Sequence, residues 1–363
     1  MKPATVLGRK PRPRRAAPSR PFNVGLLIPV SGALGILGPS AYACARLARD
    51  AWNEADGLDG REVRLTVLNS SETSTTLDVE LEELIDNHEV DALVALSNTE
   101  VCRRIAGLVN ARVPLVYTPH FEGTGLPDWV DAIGETPDRQ LLPAIDWMAN
   151  RYRPKRWYLL GSDYCWPRRT HVFAKPAIRA TGAQLVGERY VPIGARGFEP
   201  IVEEIRESGA DAVLISLVGA DSIYFCRAFG SADMARRAMR LSVCMEENAV
   251  LGMGAENTDG MFVAAGYFAT LDSDANGAFK ERYHARFGDR APTLNSLSQS
   301  VYEGFVHLNR LAGVMAELPG TVLGSVRAGR RQRAFDASVD PIFLGEVQGL
   351  GIRVVDTLGV AAA

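Results

Sequence analysis

With 363 residues, nearly half of them apolar, the chain is long enough for two packed lobes and lacks the composition of a disordered protein. Its formal charge is −3, yet residues 1–21 hold seven basic and no acidic side chains, so the remainder stands at −10, seven below the total. An acidic body repels phosphate, which argues against nucleic acid as a direct partner, and no run reaches the ~18 consecutive apolar residues of a membrane span.

The opening "MKPATVLGRKPRPRRAAPSRP" reads as a solvated, disordered basic tail. It contains no apolar stretch of about 7–15 residues, so as written the chain is expected in the cytoplasm, and in the periplasm if a leader precedes it. From Phe22 the pattern alternates strand and helix. "FNVGLLIPV" is an apolar strand, and after "SGALGILG" the stretch "PSAYACARLARDAWNEA" has helical spacing with Pro39 near its start. "EVRLTVL", "VDALVAL" and "VPLVYT" continue as strands, with "TTLDVELEELIDN" and "TEVCRRIAGLVNA" as the helices between them. The Gly, Pro and Asp rich "GTGLPDWVDAIGETPD" then reads as a boundary between lobes.

The alternation restarts with helix "QLLPAIDWMANRY", strand "RWYLLGS" and helix "RRTHVFAKPAIRATG", and it repeats through "QLVGERYVPI", "FEPIVEEIRESG", "DAVLISLVG", "ADSIYFCRAFGSA" and "MRLSVCM". A late strand "GMFVAAGYF" and the helices "DANGAFKERYHARFG" and "LNSLSQSVYEGFVHLNRLAGVMAEL" exceed what the second lobe needs, so they are assigned to the first. The expected fold is α/β, with two doubly wound, Rossmann-like parallel-sheet lobes, a hinge and an interlobe ligand cleft. Residues 22–134 plus about 260–318 form lobe 1 in this reading, and 135–259 plus about 319–358 form lobe 2.

Signatures of chemistry are missing. The five cysteines show no CxxC pair, the five histidines no metal spacing, and the five lysines no GK[ST] setting. "GMGAEN" follows a predicted helix and carries only part of the dinucleotide fingerprint, and no GxSxG elbow occurs. A Ser, His and Asp set could still assemble from distant positions, but the chain reads as non-enzymatic, with no catalytic residue, metal or cofactor assigned.

Hydroxyls, amides and aromatics do gather at predicted strand ends, where an α/β cleft is lined: Ser31, Ser97, Asn98, Thr99, Thr118, His120, Phe121, Glu122, Tyr164, Trp166, Asp221, Ser222, Glu246 and Glu247. Ser97, Asn98 or Thr99 also suit a helix cap, and Glu246 or Glu247 suits a helix dipole. In "WYLLGSDYCWPRR", Gly161 is read as the sharp turn, Ser162 and Asp163 as turn and cap, Pro167 as the opening of the next helix, and Cys165 as pointing away from the cleft.

Four pieces, "YTPHFEG" (117–123), "LLGSDYCWPR" (159–168), "GERYVPIG" (187–194) and "SVCMEEN" (242–248), carry a resemblance to the type I periplasmic binding proteins from about Val24 to Leu311. They are most similar to the amide and urea branch, which includes urea-binding proteins of ABC transporters and a cytoplasmic amide sensor. The resemblance implies ligand contacts from Ser97 or Asn98, from Thr118 and Pro119, from Tyr164 and Trp166, and from a residue among Met245, Glu246 and Glu247. It further implies a short amide, urea or amino-acid-like ligand bound by a cytoplasmic sensor, or alternatively by the substrate-binding component of an ABC transporter. The implied protein partner is an antitermination-type regulator or an ABC permease, and a homo-oligomer is allowed. Two departures stand out: His120 replaces the Gln common in the urea branch, and "FDASVDPIFLGEVQGLGIRVVDTL" keeps only the Phe-Asp-Ala start of the usual ending, which shortens the C-terminal hairpin.

Overall fold

The computed structural model describes residues 20–58, 60–71, 74–317 and 341–358. Apart from Arg20 and Pro21, the basic tail expected at 1–21 lies outside the described residues, as do 319–340 of the segment assigned to lobe 2 and with them the "FDASVD" stretch.

Apolar runs long enough for a strand, separated by amphipathic stretches, force parallel pairing with helical crossovers. In the first sheet β1 (Phe22–Ile28), β2 (Val63–Asn69), β3 (Ala92–Ala95), β4 (Leu115–Tyr117) and β5 (Val130–Ala132) run parallel in the order β2-β1-β3-β4-β5. Alternate side chains of β1 supply both faces. Val24, Leu26 and Ile28 pack toward α1 (Gly38–Glu54), whereas Leu27 joins the layer made by α2 (Ser74–Asp86) and α3 (Thr99–Val109). β5 falls inside the stretch read as a lobe boundary. Three residues with Asp131 in the middle are too short for periodicity to register, and pairing with β4 makes the strand.

The second lobe follows with α4 (Pro137–Arg151), β6 (Arg156–Ser162), α5 (Cys165–Ala180), β7 (Gln184–Val191), α6 (Glu199–Ser208), β8 (Ala212–Ser216), α7 (Ala220–Ser231), β9 (Met239–Ser242) and α8 (Glu247–Met253). Its seven-stranded sheet has the order β12-β11-β10-β9-β8-β6-β7, in which β10 (Met261–Ala265) lies parallel to β9 and antiparallel to β11 (Ile342–Gln348). The hairpin of β11 with β12 (Gly351–Leu358) is formed. One element therefore differs from the expectation: β10, placed in lobe 1 from sequence, belongs to the second sheet. It closes one more β-α-β unit onto β9, and its apolar residues are buried.

Only beyond Ala265 does the chain return to the first sheet, through α9 (Asp274–Phe287) and α10 (Ser296–Glu317). Phe305 and Leu308 of α10 enter the core over β1, β3 and α1. Gly304 is why α10 lies so close: a Cβ there would stand 2.6 Å from Thr118 Cγ2 and 3.2 Å from Val94 Cγ1. Gly304→Val should therefore overpack this layer and cost about 1–3 kcal/mol, read as a lower denaturation midpoint. An unchanged midpoint would show that α10 does not sit on β3 and β4.

Candidate ligand-binding site

The carboxyl ends of both sheets face a common cavity of about 60 Å3. At the roughly 10–15 Å3 that one water occupies, this is room for a small molecule only. The first sheet contributes Leu34, Ile36 and Leu37 from the loop after β1, Leu96 to Asn98 after β3, and Tyr117, Pro119 and His120 at the end of β4. The second contributes Tyr164 and Trp166 after β6, Val218, Gly219 and Ser222 after β8, and Cys244, Glu246, Asn248 and Ala249 after β9, with Leu297 of α10 completing the wall.

Several of these residues do structural work at the same time. Asn98 caps α3 by accepting the Val101 N–H at 2.9 Å, and the Ser97 carbonyl accepts the Tyr117 hydroxyl at 2.9 Å. The first amides of α3 have no acceptor within their helix. Tyr164 occupies the N-cap of α5 in extended conformation and makes no side-chain cap. Two contacts draw the lobes together at the mouth: the Ala220 N–H donates to the Ala33 carbonyl at 2.8 Å, and Asn248 Nδ2 donates to the Ile36 carbonyl at 2.9 Å. Gly219 permits the first, because it holds φ +59° and a Cβ would meet the Ala33 oxygen at 2.3 Å.

Charge inside the cavity is organised by His120. Its Nδ1 lies 3.1 Å from Glu135 Oε2, and Glu135 Oε1 accepts the Gly266 N–H at 3.0 Å, so one carboxylate joins the loop after β4 to the end of β10. Burial alone would depress the imidazole, but the Glu135 hydrogen bond and charge, with Glu246 adding, raise it above its ordinary value. Glu135 is correspondingly held below the usual carboxylate range despite its burial. Glu246 is pushed up to about 7 by burial, against the opposing pull of His120 and of the Leu297 N–H at 3.3 Å. Burial and the charge of Glu246 take Glu247 to about 8. The His120 and Trp166 rings stack at 5.6 Å and 23°, and both His120 Nε2 and Trp166 Nε1 are buried without a hydrogen-bond partner.

Of the residues expected at the ligand, Ser97, Asn98, Pro119, Tyr164, Trp166 and Glu246 line the cavity. Thr118, Met245 and Glu247 do not. The Thr118 hydroxyl donates to the Ala95 carbonyl beneath α10, because side chains alternate along a strand end and Tyr117 and Pro119 take the cavity side. Met245 is buried in the core of the second lobe among Phe225, Val250 and their neighbours. Glu247, the first residue of α8, turns away from the cavity and stays buried, accepting the Ala269 N–H at 2.8 Å. Cys165 lies off the cavity, under the influence of the Glu122 carboxylate.

Gly161 is not a turn; it is the sixth residue of β6, where a Cβ would stand 2.9 Å from Pro167 Cβ and push α5 away. Ser162 is buried and accepts the Val218 N–H, Asp163 pairs with Arg168, and Pro167 is the third residue of α5. Among the other strand-end candidates, Asp221 accepts the Gly194 N–H at 2.8 Å, and Ser31 accepts from Asn69 at 3.0 Å, both outside the cavity lining. The loop residues Leu34, Ile36 and Leu37, and Leu297 in a distant helix, carried no polar signal. His120 and Ser222 did, as hydroxyl or imidazole groups at strand ends. The arrangement offers donors, acceptors and aromatic faces suited to holding a molecule. Among the described residues no His, Cys, Asp and Glu cluster is placed to hold a metal ion, and no helix is long and apolar enough to cross a membrane.

A family model described as periplasmic binding protein matches residues 21–333. Solved structures of the same fold include an ABC-transporter solute-binding protein of R. palustris in complex with 4-hydroxybenzoate, 18% identical, with TM-score 0.77 over 93% of this chain and 96% of that one. Another is a branched-chain amino acid transporter substrate-binding protein of Streptococcus pneumoniae in complex with isoleucine, 15% identical, with TM-score 0.78 over 93% and 99%. A third, an amino acid ABC transporter substrate-binding protein of Pseudomonas fluorescens, is 15% identical with TM-score 0.78 over 93% and 96%.

The buried Glu247 makes stability depend on pH. Its folded value of about 8 lies above the ordinary 4.5, so the unfolded chain ionises first. The stabilisation is complete below about 4.5 and is lost as pH rises through about 8. Glu247→Gln keeps an acceptor for Ala269 and removes this loss. Urea denaturation at pH 5 and pH 9 should show the variant gaining on the wild type as pH rises, and parallel stability curves would contradict the assignment.

Proposed function

The chain belongs to the periplasmic binding protein family, and from that premise we propose that it is the solute-binding component of an ABC-type importer, working in the periplasm and closing its two lobes on one small polar organic molecule. The observation that carries this reading is the cavity itself, walled by strand ends of both sheets and bridged at its mouth by the Ala33–Ala220 and Ile36–Asn248 contacts. The relatives solved with 4-hydroxybenzoate and isoleucine are ABC solute-binding proteins, which supports this role over that of a cytoplasmic amide sensor. The partner is then an ABC permease that reads the closed surface.

In this proposal Tyr164 and the ring carbons of Trp166 cover the apolar part of the solute from the second lobe, leaving the Trp166 N–H free to meet a polar group. Ser97, Asn98 and the start of α3 address its polar end from the first, and Glu246 sits between them. The solute is of the size of an amino acid, a short amide or urea, or a small acid. It stabilises the closed form because it binds surfaces that meet only there.

A thermal-shift screen of amino acids, short amides, urea and aromatic acids tests the proposal. A solute at 100-fold excess over its dissociation constant adds about 2.7 kcal/mol to the folded state. Tyr164→Ala should lose that shift while still unfolding cooperatively. A wild-type-sized shift in the variant, or no shift from any class, would sink the site. Fractionation of the native cells addresses the role: the mature protein is expected in the periplasmic fraction, and recovery in the cytosol would overturn the importer reading.

A further inference from the structure

We infer that the solute carries a carboxylate and that the paired rings of His120 and Trp166 receive it. This rests on the solute-binding reading above and narrows its ligand class. Among the residues lining the cavity, His120 is the one able to carry positive charge. His120 is 8% and Trp166 2% exposed, and the free ring nitrogens of both are buried with no acceptor in the protein. Buried polar nitrogens are almost always paired, so the Trp166 N–H and His120 Nε2, both unpaired on stacked rings in a cavity wall, define a place for a ligand's polar group.

The tautomer decides which acceptor. With Nδ1–H directed at Glu135, a neutral imidazole would expose a bare Nε2 lone pair, which suits the N–H of an amide. An imidazolium exposes a second N–H, which suits an anion. Glu135 favours the imidazolium, and it is fixed in that position by the Gly266 N–H. A side chain at 266 would displace it, since a Cβ would lie 2.2 Å from Oε1. The charged donor is thus built by groups from both lobes. Glu246 shares the cavity, and burial raises its carboxyl to about 7, so its protonated form is within reach to donate an O–H to the same ligand.

Calorimetric titration with shape-matched pairs separates the two outcomes: benzoate against benzamide, isobutyrate against isobutyramide, and isoleucine against isoleucinamide. The carboxylate member of the binding pair should be favoured by about tenfold or more, as for a charge-assisted hydrogen bond over a neutral one. His120→Gln keeps a hydrogen-bonding group without the charge and should erase the preference. Trp166→Phe keeps the stacked ring and should weaken the carboxylate by about tenfold while leaving the amide nearly unchanged. Amides binding as tightly as their acids, binding confined to solutes without a carboxylate, or a preference that survives His120→Gln would each overturn the inference and leave solute binding standing. If no member of any pair and no solute of the wider screen binds, both readings fall together.

Discussion

A parallel strand cannot be joined to its neighbour by a tight turn, so each one hands the chain to a helix that packs back on the sheet. Once α1, α2, α3 and α10 cover the first sheet and α4 to α8 the second, the carboxyl edges are what remain open. Loops and helix starts collect at those edges, and polar side chains reach out without entering a core. Because β5 passes directly into α4 through residues 133–136, the two edges are held facing one another. The cavity follows from that constraint. Its walls are apolar where residues just past a strand end, such as Leu96, reach it, and polar where Ser97, Asn98 and Ser222 lie at the helix starts.

Electrostatics in so enclosed a place must balance locally, since unpaired charge taken out of water is costly. Glu135 and His120 achieve this as a pair, and the Gly266 amide accommodates the remaining carboxylate oxygen. Glu246 and Glu247 follow the other route and shift toward neutrality. The two neighbours shift the same way in different surroundings: Glu246 faces the cavity and feels His120, whereas Glu247 is sequestered against the Ala269 N–H and feels its own burial and the charge of Glu246.

This division explains which parts of the site were legible in the sequence. Strand runs such as "LLGS" and helix-start residues such as Asn98 are local signals, and they placed most elements and six of the expected contacts near one another. What failed was not local. Thr118 and Tyr117 differ by one position, so strand alternation sends one under α10 and the other into the cavity. The role of Gly161 depends on how closely Pro167 approaches, and the place of β10 on which strand it pairs with, neither of which leaves a mark in the residues themselves. His120 was visible as a polar strand-end residue. Its importance comes from Glu135, fifteen positions away, and from Gly266 just past the end of β10.

Beside the cavity the lobes share hydrogen bonds from the Ala220 N–H to the Ala33 carbonyl, the Asn248 amide to the Ile36 carbonyl and the Leu297 N–H to Glu246, along with the stack of His120 on Trp166. Each such bond contributes on the order of 0.5–1.5 kcal/mol net, because separation of the lobes would return its groups to water. Their sum is comparable to the few kcal/mol that separate alternative conformers of a hinged protein. In the solute-binding proposal closure stands close to balance until a solute reaches the buried nitrogens of His120 and Trp166, which find no partner within the protein. On that proposal a solute that supplies those acceptors acts on the closed form alone, and its binding energy is also the energy that selects the conformation.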